Sequence, residues 1–295
     1  MSGFVSLLPF AFSAFVIMQD QGTRQIMAEE FVKSRPGRSA ASSAKRPVYR
    51  PASTKPAKSS RSNSSGAMQL GLTIWRLRPS GMRDSGARII VHQDNETEEW
   101  TPERVESTTA LRMGERVRFS FESPQTGYLY VIDREQYADG SKGEPFLIFP
   151  TTRTREANNK VAPGQIIEIP GQEDRPNYFT LRQSRPDQTG ELLTVIVTPQ
   201  PIEGVTIGNK PLPLSNERIA QWEKQWGATT EKFELTGGAG KTWTKAEQEA
   251  GANATRQLTQ DDPGPQTIYR VAVKPGSPLL VNVGLRYGRS RKAGR

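Results

Sequence analysis

The sequence of 295 residues contains no cysteine and a single histidine, His92. The absence of cysteine excludes disulfide bonds, thiolate metal sites and a cysteine nucleophile. One histidine cannot form a two-histidine zinc site, and any histidine-based catalytic triad would depend on His92 alone. His92 stands at the polar end of a strand-like run, residues 88–93, which is typical of a surface or edge histidine. We therefore expect no metal and no other cofactor.

The body of the chain lacks a net positive charge, although the net charge of the whole chain is +9. Residues 34–66 carry eight lysines or arginines and no acid, and residues 286–295 carry five more, again without an acid. Because residues 1–33 sum to −1, residues 67–285 are left with a charge of −3. The basic character therefore belongs to the ends of the chain and says little about what the body binds.

The N-terminus contains an apolar run of fifteen residues, Phe4–Met18. This run is too short, and too interrupted by proline and serine, for a transmembrane helix. Its length fits the apolar region of a secretory signal, although no lysine or arginine precedes it. We predict a signal or apolar segment over residues 1–20 and export to the periplasm or cell envelope. A buried or amphipathic terminal segment is the alternative.

Residues 21–66 are predicted to form a disordered basic linker. From residue 34 onward serine, alanine, proline and basic residues dominate, and Val48 and Tyr49 are the only large apolar side chains. A segment of this composition cannot bury enough surface to fold. We interpret it as a tether whose charge could hold it against an anionic surface, with a plain solvated linker as the alternative.

From residue 69 onward apolar residues follow a period of two, and turn signals separate the runs. Many short strands with no helical period between them predict a mainly β fold, with an antiparallel β-sandwich-like domain over residues 67–200; a barrel is the alternative. The predicted strands are Gly71–Arg76, Ala87–His92, Arg116–Glu122, Gly127–Asp133, Pro145–Phe149, Gln165–Ile169, Tyr178–Leu181 and Glu191–Val197.

Residues 201–288 are predicted to be a helix-containing extension that returns to the sheet, followed by a basic tail at 289–295. One helix is expected over Glu217–Trp226, where three apolar side chains share a face and Gly227 follows as the C-cap. A second helix is expected over Thr244–Leu258. Two strands, Thr267–Val273 and Leu279–Arg286, then close the chain.

The stretch LTGGAGKTWT, residues 235–244, resembles the end of a phosphate-binding loop. A working loop needs a glycine six positions before Lys241, but Leu235 occupies that place. Residues 229–234 also lack the pattern of a core strand. Thr244 and Glu247 have the spacing of a capping box, which predicts a helix beginning at about residue 245. We therefore do not expect ATP to bind.

The central block carries a series of motifs in order: Gly127–Val131 (GYLYV), Leu147–Pro150 (LIFP), Asn158–Asn159 and Gly164–Pro170. Over about residues 110–200 it resembles the bacterial "domain of unknown function 4384" family. The turn Arg134–Glu144 is longer than that family's usual one. The resemblance implies a β-sandwich-like domain, often in exported or envelope-linked bacterial proteins. It implies no known reaction and transfers no catalytic residue.

Two groups of side chains are candidates for function. Carboxylates gather around one hairpin and could act as an acid/base pair or bind calcium, but a solvated loop is the better explanation and the calcium-loop pattern is broken at Tyr137. These carboxylates are Asp133, Glu135, Asp139 and Glu144. Aromatic side chains could form a partner-binding surface, although helix packing and sheet pairing also explain them. These are Tyr128, Tyr130, Trp222 and Trp226.

Taken together, these features predict an exported or envelope-associated, non-catalytic binding or scaffold module. Its partner would be a protein or an anionic component of the envelope. Two other functions remain open: a hydrolase that uses the hairpin carboxylates, and a nucleic-acid binder that acts through the basic segment at 34–66. The acidic body and the location of the positive charge argue against nucleic acid.

Overall fold

The computed structural model describes residues 28–37, 48–51, 67–84, 86–93, 96–252 and 256–288. The predicted signal segment at 1–20 and the basic tail at 289–295 lie outside these residues. In the part of the chain that is described, no helix has both the length and the apolar character needed to cross a membrane.

The chain forms two β-sheets, and the predicted mainly β, antiparallel sandwich is confirmed. Among the described residues, the strand pairs are antiparallel except for the short parallel pair β5–β16. Sheet one contains β1 (Tyr49–Pro51), β2 (Met68–Pro79), β3 (Ile89–Gln93), β4 (Glu96–Val105), β6 (Arg116–Glu122), β10 (Ile166–Ile169), β11 (Phe179–Thr180), β14 (Thr230–Leu235) and β15 (Thr267–Val271). Sheet two contains β5 (Ala110–Leu111), β7 (Gly127–Tyr137), β8 (Phe146–Phe149), β9 (Lys160–Val161), β12 (Gln188–Thr198), β13 (Leu212–Pro213) and β16 (Leu279–Tyr287).

The main core lies between the two sheets and follows the period of two that the sequence shows. Alternate residues of β6, among them Phe119 and Phe121, meet alternate residues of β7 and β12, such as Val131 and Val195. Strand β16 contributes Val281 and its alternate neighbours. Because successive strand residues point to opposite faces, each strand has one side in this core and the other on an outer face.

Three helices cover the outer faces. Helix α1 is described over residues 28–33, α2 covers Asn216–Trp226, and α3 covers Lys245–Ala252. Helix α2 begins and ends as predicted, whereas α3 ends earlier than the predicted Leu258. The predicted return of residues 201–288 to the sheets is observed, because β14 and β15 join sheet one while β16 joins sheet two.

Residues 28–37 and 48–51, which we call the arm, belong to the predicted disordered linker, but they pack on the body. Tyr49 is buried and its hydroxyl donates a hydrogen bond to the Pro265 carbonyl oxygen at 2.8 Å. Arg35 is also buried, in an ion pair with Glu122. The linker prediction therefore fails for these residues. The other parts of the predicted linker, residues 21–27, 38–47 and 52–66, lie outside the described residues.

One further expectation is corrected, and the glycine that begins β7 is explained. Residues 230–235 form strand β14, with Phe233 buried, although their pattern did not indicate a strand. Gly127 does not adopt a left-handed backbone. It is required because a Cβ atom there would lie 2.6 Å from the Thr198 carbonyl oxygen on the neighbouring strand. Close approach, rather than an unusual turn, explains this glycine.

Candidate functional site

The four aromatic candidates come together on the outer face of sheet two. Tyr128 and Tyr130 point outward from β7, because the residues between and after them face the core. Helix α2 brings Trp222 and Trp226 onto the same face. The helix starts at its N-cap Ser215, whose side chain accepts a hydrogen bond from the Arg218 amide at 3.2 Å. Sequence reasoning named all four residues but did not predict their contact.

Their environments divide the four aromatics into two pairs. Tyr130 and Trp222 are buried, and the Tyr130 hydroxyl accepts a hydrogen bond from the Ile202 amide at 2.9 Å. Tyr128 and Trp226 remain half-buried. The two tryptophan rings are stacked, with centroids 5.6 Å apart and an angle of 14° between their planes. Tyr130 and Trp222 therefore fix the helix on the sheet, while Tyr128 and Trp226 stay partly accessible.

Half-buried apolar side chains surround this stack and form what we call the α2 patch. They come from β7, from β13 and the loops beside it, and from the end of α2, and all contact the same cluster of buried side chains. Aromatic side chains at the edge of such a patch are the type most enriched in protein interfaces. The members of the patch are Tyr128, Ile202, Val205, Leu212, Leu214 and Trp226.

The carboxylate candidates are divided differently by the fold. Asp133 and Glu135 lie on β7, on the side that faces the other sheet, and Glu191 joins them from β12 as the cross-strand partner of Glu135. Asp139 and Glu144 are exposed in the hairpin beyond β7. Sequence reasoning missed Glu191, which is 56 positions after Glu135. A correct pairing of β7 with β12 would have found it.

Burial and mutual repulsion hold a proton in this cluster. Burial, followed by the charges of Glu191 and Glu135, raises the pKa of Asp133 to about 8. The pKa of Glu191 is also raised, mainly by burial. The Asp133 Oδ1 and Glu191 Oε2 atoms are both buried and accept no hydrogen bond. The cluster therefore places a carboxyl with a raised pKa beside two other carboxyl groups, an arrangement that acid/base chemistry uses.

Two tyrosines close this carboxylate cluster. The Tyr287 hydroxyl donates to Glu191 Oε1 at 2.5 Å, and the Tyr137 hydroxyl donates to Glu135. Each phenol thus partly satisfies one carboxylate. Among the described residues, no group of three or more acidic or histidine side chains is arranged to hold a metal ion.

The loop-like stretch 235–244 leads from β14 into α3. The predicted capping box is confirmed: the Thr244 hydroxyl accepts the Glu247 amide at 3.3 Å, and the Glu247 carboxylate accepts the Thr244 amide at 2.9 Å. Lys241 is exposed, and its carbonyl oxygen accepts the Arg104 amide at 2.9 Å. His92 lies in edge strand β3, and its side chain is outside the described residues.

Comparison with known proteins identifies one part of the chain. Residues 110–201 match the family described as "Domain of unknown function (DUF4384)", which confirms the resemblance that the sequence motifs indicate. The match extends from β5 to just beyond β12 and so includes most strands of sheet two. Neither the curated proteins nor the solved structures contain a match to this chain.

Proposed function

We propose that this chain, which carries a DUF4384 domain over residues 110–201, is an exported or envelope-associated bacterial module that binds a protein partner and has no catalytic activity. The observation that carries the proposal is the α2 patch. Stable soluble domains rarely leave several apolar side chains partly exposed on one face unless that face binds something.

The composition of the α2 patch favours a protein over an anionic partner. Trp226 and Tyr128 are large side chains that lose little conformational entropy when they are covered, and Trp222 holds Trp226 in place by stacking. Ile207, two residues after Val205 of the patch, is a further apolar side chain that is 36% exposed. A partner would complete the burial that the chain itself leaves partial.

Export is supported by the sequence of the N-terminus, Phe4–Met18, and by the resemblance to the DUF4384 family, which implies a domain often carried by exported or envelope-linked proteins. Fractionation of the native organism's cells, followed by N-terminal sequencing of the recovered protein, tests it. Recovery outside the cytoplasm with a start after about residue 18 supports export. A cytoplasmic protein that retains Met1 contradicts it.

Site-specific photo-cross-linking in living cells tests the binding surface. A photoreactive amino acid replaces Trp226 in one strain and Met82 in the control strain, because Met82 is 96% exposed and lies beside sheet one. A discrete cross-linked protein at position 226 but not at position 82 supports the proposal. Equal cross-linking at both positions, or none at 226, shows that the α2 patch is not a binding surface.

A carboxylate-dependent hydrolase remains a second candidate because the fold joins Asp133 and Glu135 to Glu191. In that case Asp133 would be the general acid, since burial raises its pKa, and Glu135 or Glu191 would be the base. The experiment is a screen of glycoside, ester and peptide substrates with the wild type and with Asp133→Asn/Glu135→Gln. An activity that disappears in a folded double variant would replace the non-catalytic proposal.

Nucleic-acid binding through the basic segment is less well supported. Two of its arginines already have acidic partners, since Arg35 is buried against Glu122 and Arg50 pairs with Glu106. A salt titration of binding to duplex DNA tests this function. Binding through the segment would weaken steeply with salt and vanish when residues 34–66 are removed.

A further inference from the structure

The arm occupies a groove on sheet one that is shaped to receive it. Phe31 is fully buried where β2 carries Gly71, and a Cβ atom on that glycine would lie 2.7 Å from the Phe31 ring. Val32 and Tyr49 pack with Phe233 on the same surface. We call this surface, formed by β2, β14, β15 and the loop 256–265, the arm groove.

Arg35 is the most specific contact between the arm and its groove. A guanidinium has five N–H donors, and all five are used. Nε and one terminal nitrogen bind the two oxygens of Glu122, each at 2.7 Å. The remaining donors reach three backbone carbonyl oxygens in the groove loop at 3.0 to 3.2 Å, those of Thr259, Asp262 and Pro263. The groove thus contains a complete recognition pocket for an arginine side chain.

The arm also adds a strand to the edge of sheet one. Strand β1 pairs antiparallel with β14 in the register Tyr49–Leu235, and the Thr236 amide donates to the Val48 carbonyl oxygen at 2.7 Å. Main-chain pairing of this kind gives affinity, while the side-chain pockets for Phe31 and Arg35 give specificity. The docking therefore has the features of a peptide bound to a sheet edge.

The main core does not depend on the arm. The buried side chains between the two sheets begin at Met68, and the arm contributes to a separate cluster around Phe233 and Ile268. Removal of the arm would expose this second cluster and leave Glu122 buried without its cation. An arm must therefore occupy the groove to keep this cluster and Glu122 covered. The contacts of the sandwich do not require that this arm belong to the same molecule.

The segment that joins the arm to β2 is long enough for the arm to bind either its own groove or the groove of another copy. Strand β1 is three strands away from β2, which is about 14 Å at the usual strand spacing. Fifteen residues, 52–66, join Pro51 to Ala67, and a chain of this length spans up to about 50 Å when fully extended. The connection is thus several times longer than its own groove requires, and it is long enough to reach the groove of a neighbouring copy.

We propose that copies of this chain associate by exchanging arms, so that Arg35 of one copy binds Glu122 of a second copy and the reverse. The exchanged dimer contains the same contacts as the monomer, so its formation costs little beyond the entropy of association. Exchange and self-docking become comparable when the local concentration of chains approaches the effective concentration of the tethered arm, on the order of millimolar. The inference uses a different surface from the α2 patch and does not depend on it.

Because the wild-type chain has no cysteine, a disulfide can form only between cysteines that are introduced for the test. Val48 and Thr236 are exposed and lie opposite each other in the β1–β14 register, within the range of a disulfide. One copy carries Val48→Cys, and a second copy with a different tag carries Thr236→Cys. The two are co-expressed, so that each newly folded arm can choose either groove. A disulfide between the two tags can form at this pair only if the arm of one copy lies in the groove of the other.

The expected result is a covalent heterodimer that is reduced several-fold by Arg35→Ala in the Val48→Cys copy. Met82→Cys in place of Val48→Cys is the matched control, because residue 82 is exposed and lies outside the arm and outside β14. A heterodimer yield no greater than that of the Met82→Cys control overturns the proposal. Light scattering of the wild-type protein up to about 1 mM is an independent measurement, and a monomeric mass throughout that range also overturns it.

Discussion

Arg35 and Glu122 stand 87 positions apart and form a buried bidentate ion pair whose two N–O distances are both 2.7 Å. Removal of the arginine would leave Glu122 charged and buried. We predict that Arg35→Met lowers the free energy of unfolding by about 3–5 kcal/mol, the usual cost of breaking a buried ion pair by removing one partner. Urea unfolding of the wild type and of Arg35→Met, both with the arm present, measures this difference in unfolding free energy.

The exposed pair Arg50–Glu106 is the matched control for this experiment. Arg50 is more than half exposed in that pair, and exposed ion pairs contribute about 0–1 kcal/mol. Arg50→Ala should therefore change the unfolding free energy little. The double variant Arg35→Met/Glu122→Leu should recover much of the loss, because it leaves no unpaired charge. If Arg35→Met and Arg50→Ala have equal effects, the Arg35 pair is not the anchor of the arm.

The capping box of α3 gives a second stability prediction. Thr244 supplies the N-cap contact to the Glu247 amide, so Thr244→Ala should destabilise the protein by about 1 kcal/mol. Glu247 also forms a buried ion pair with Arg104, so Glu247→Ala should cost more, about 3–5 kcal/mol. Thermal or urea unfolding compares the two variants. Equal losses would mean that the Arg104 contact contributes nothing.

The strands of the sandwich were predictable where apolar residues alternate, as in β6 and β7. Strand β4 was not, because its sequence, ETEEWTPERV, is rich in glutamate and contains Pro102. Glu103 of this strand binds Arg76 and Arg78 of the neighbouring strand β2. Only the cross-strand arginines explain why this segment is a strand, and pairing between distant strands is not visible in local periodicity.

The arm and the carboxylate cluster also show that local sequence pattern does not reveal contacts between distant residues. A basic, serine-rich composition predicts a solvated linker, yet Arg35 is buried because distant groups satisfy every donor of its guanidinium. Asp133 and Glu135 were recognised as neighbours from their sequence positions alone. Glu191 was missed because its proximity depends on the β7–β12 register. Local pattern therefore predicted the elements, and long-range pairing decided which charged groups meet.

The carboxylate cluster should make stability depend on pH. The folded chain keeps a proton on Asp133 up to about pH 8, whereas the unfolded chain releases it near the ordinary pKa of 3.8. Between these values the folded state binds more protons, so the stability contributed by the protonated group is full below about pH 4 and is lost as the pH rises towards 8. Asp133→Asn should reduce this slope, with Glu191 supplying what remains, and should make the protein more stable than the wild type at pH 9.

Urea midpoints at pH 5, 7 and 9 check this prediction. Asp139→Asn is the matched control: hydrogen bonds from Ser141 lower the pKa of that exposed carboxyl, so this substitution should leave the Asp133 slope in place. Tyr137 and Tyr287 face the same cluster through Glu135 and Glu191, and both remain unchanged in the two variants. A wild-type slope that persists in Asp133→Asn would show that the proton is held elsewhere.

The stacked pair Trp222–Trp226 allows packing and binding to be separated on one helix. Trp222 is 7% exposed and fills the space between α2 and β7, so Trp222→Ala should lower the unfolding free energy by about 3–5 kcal/mol. Trp226 is half-buried, and Trp226→Ala should cost less stability while it removes the large accessible ring of the α2 patch.

Urea unfolding measures the first effect, the loss of stability in each variant. Cross-linking from a photoreactive amino acid at Ile207, two residues after Val205 of the α2 patch, measures the second effect. A partner bound through Trp226 should be lost from that position in Trp226→Ala even though the protein stays folded. If both variants lose stability equally and neither loses the cross-link, the two tryptophans serve only to pack the helix, and the partner surface lies elsewhere.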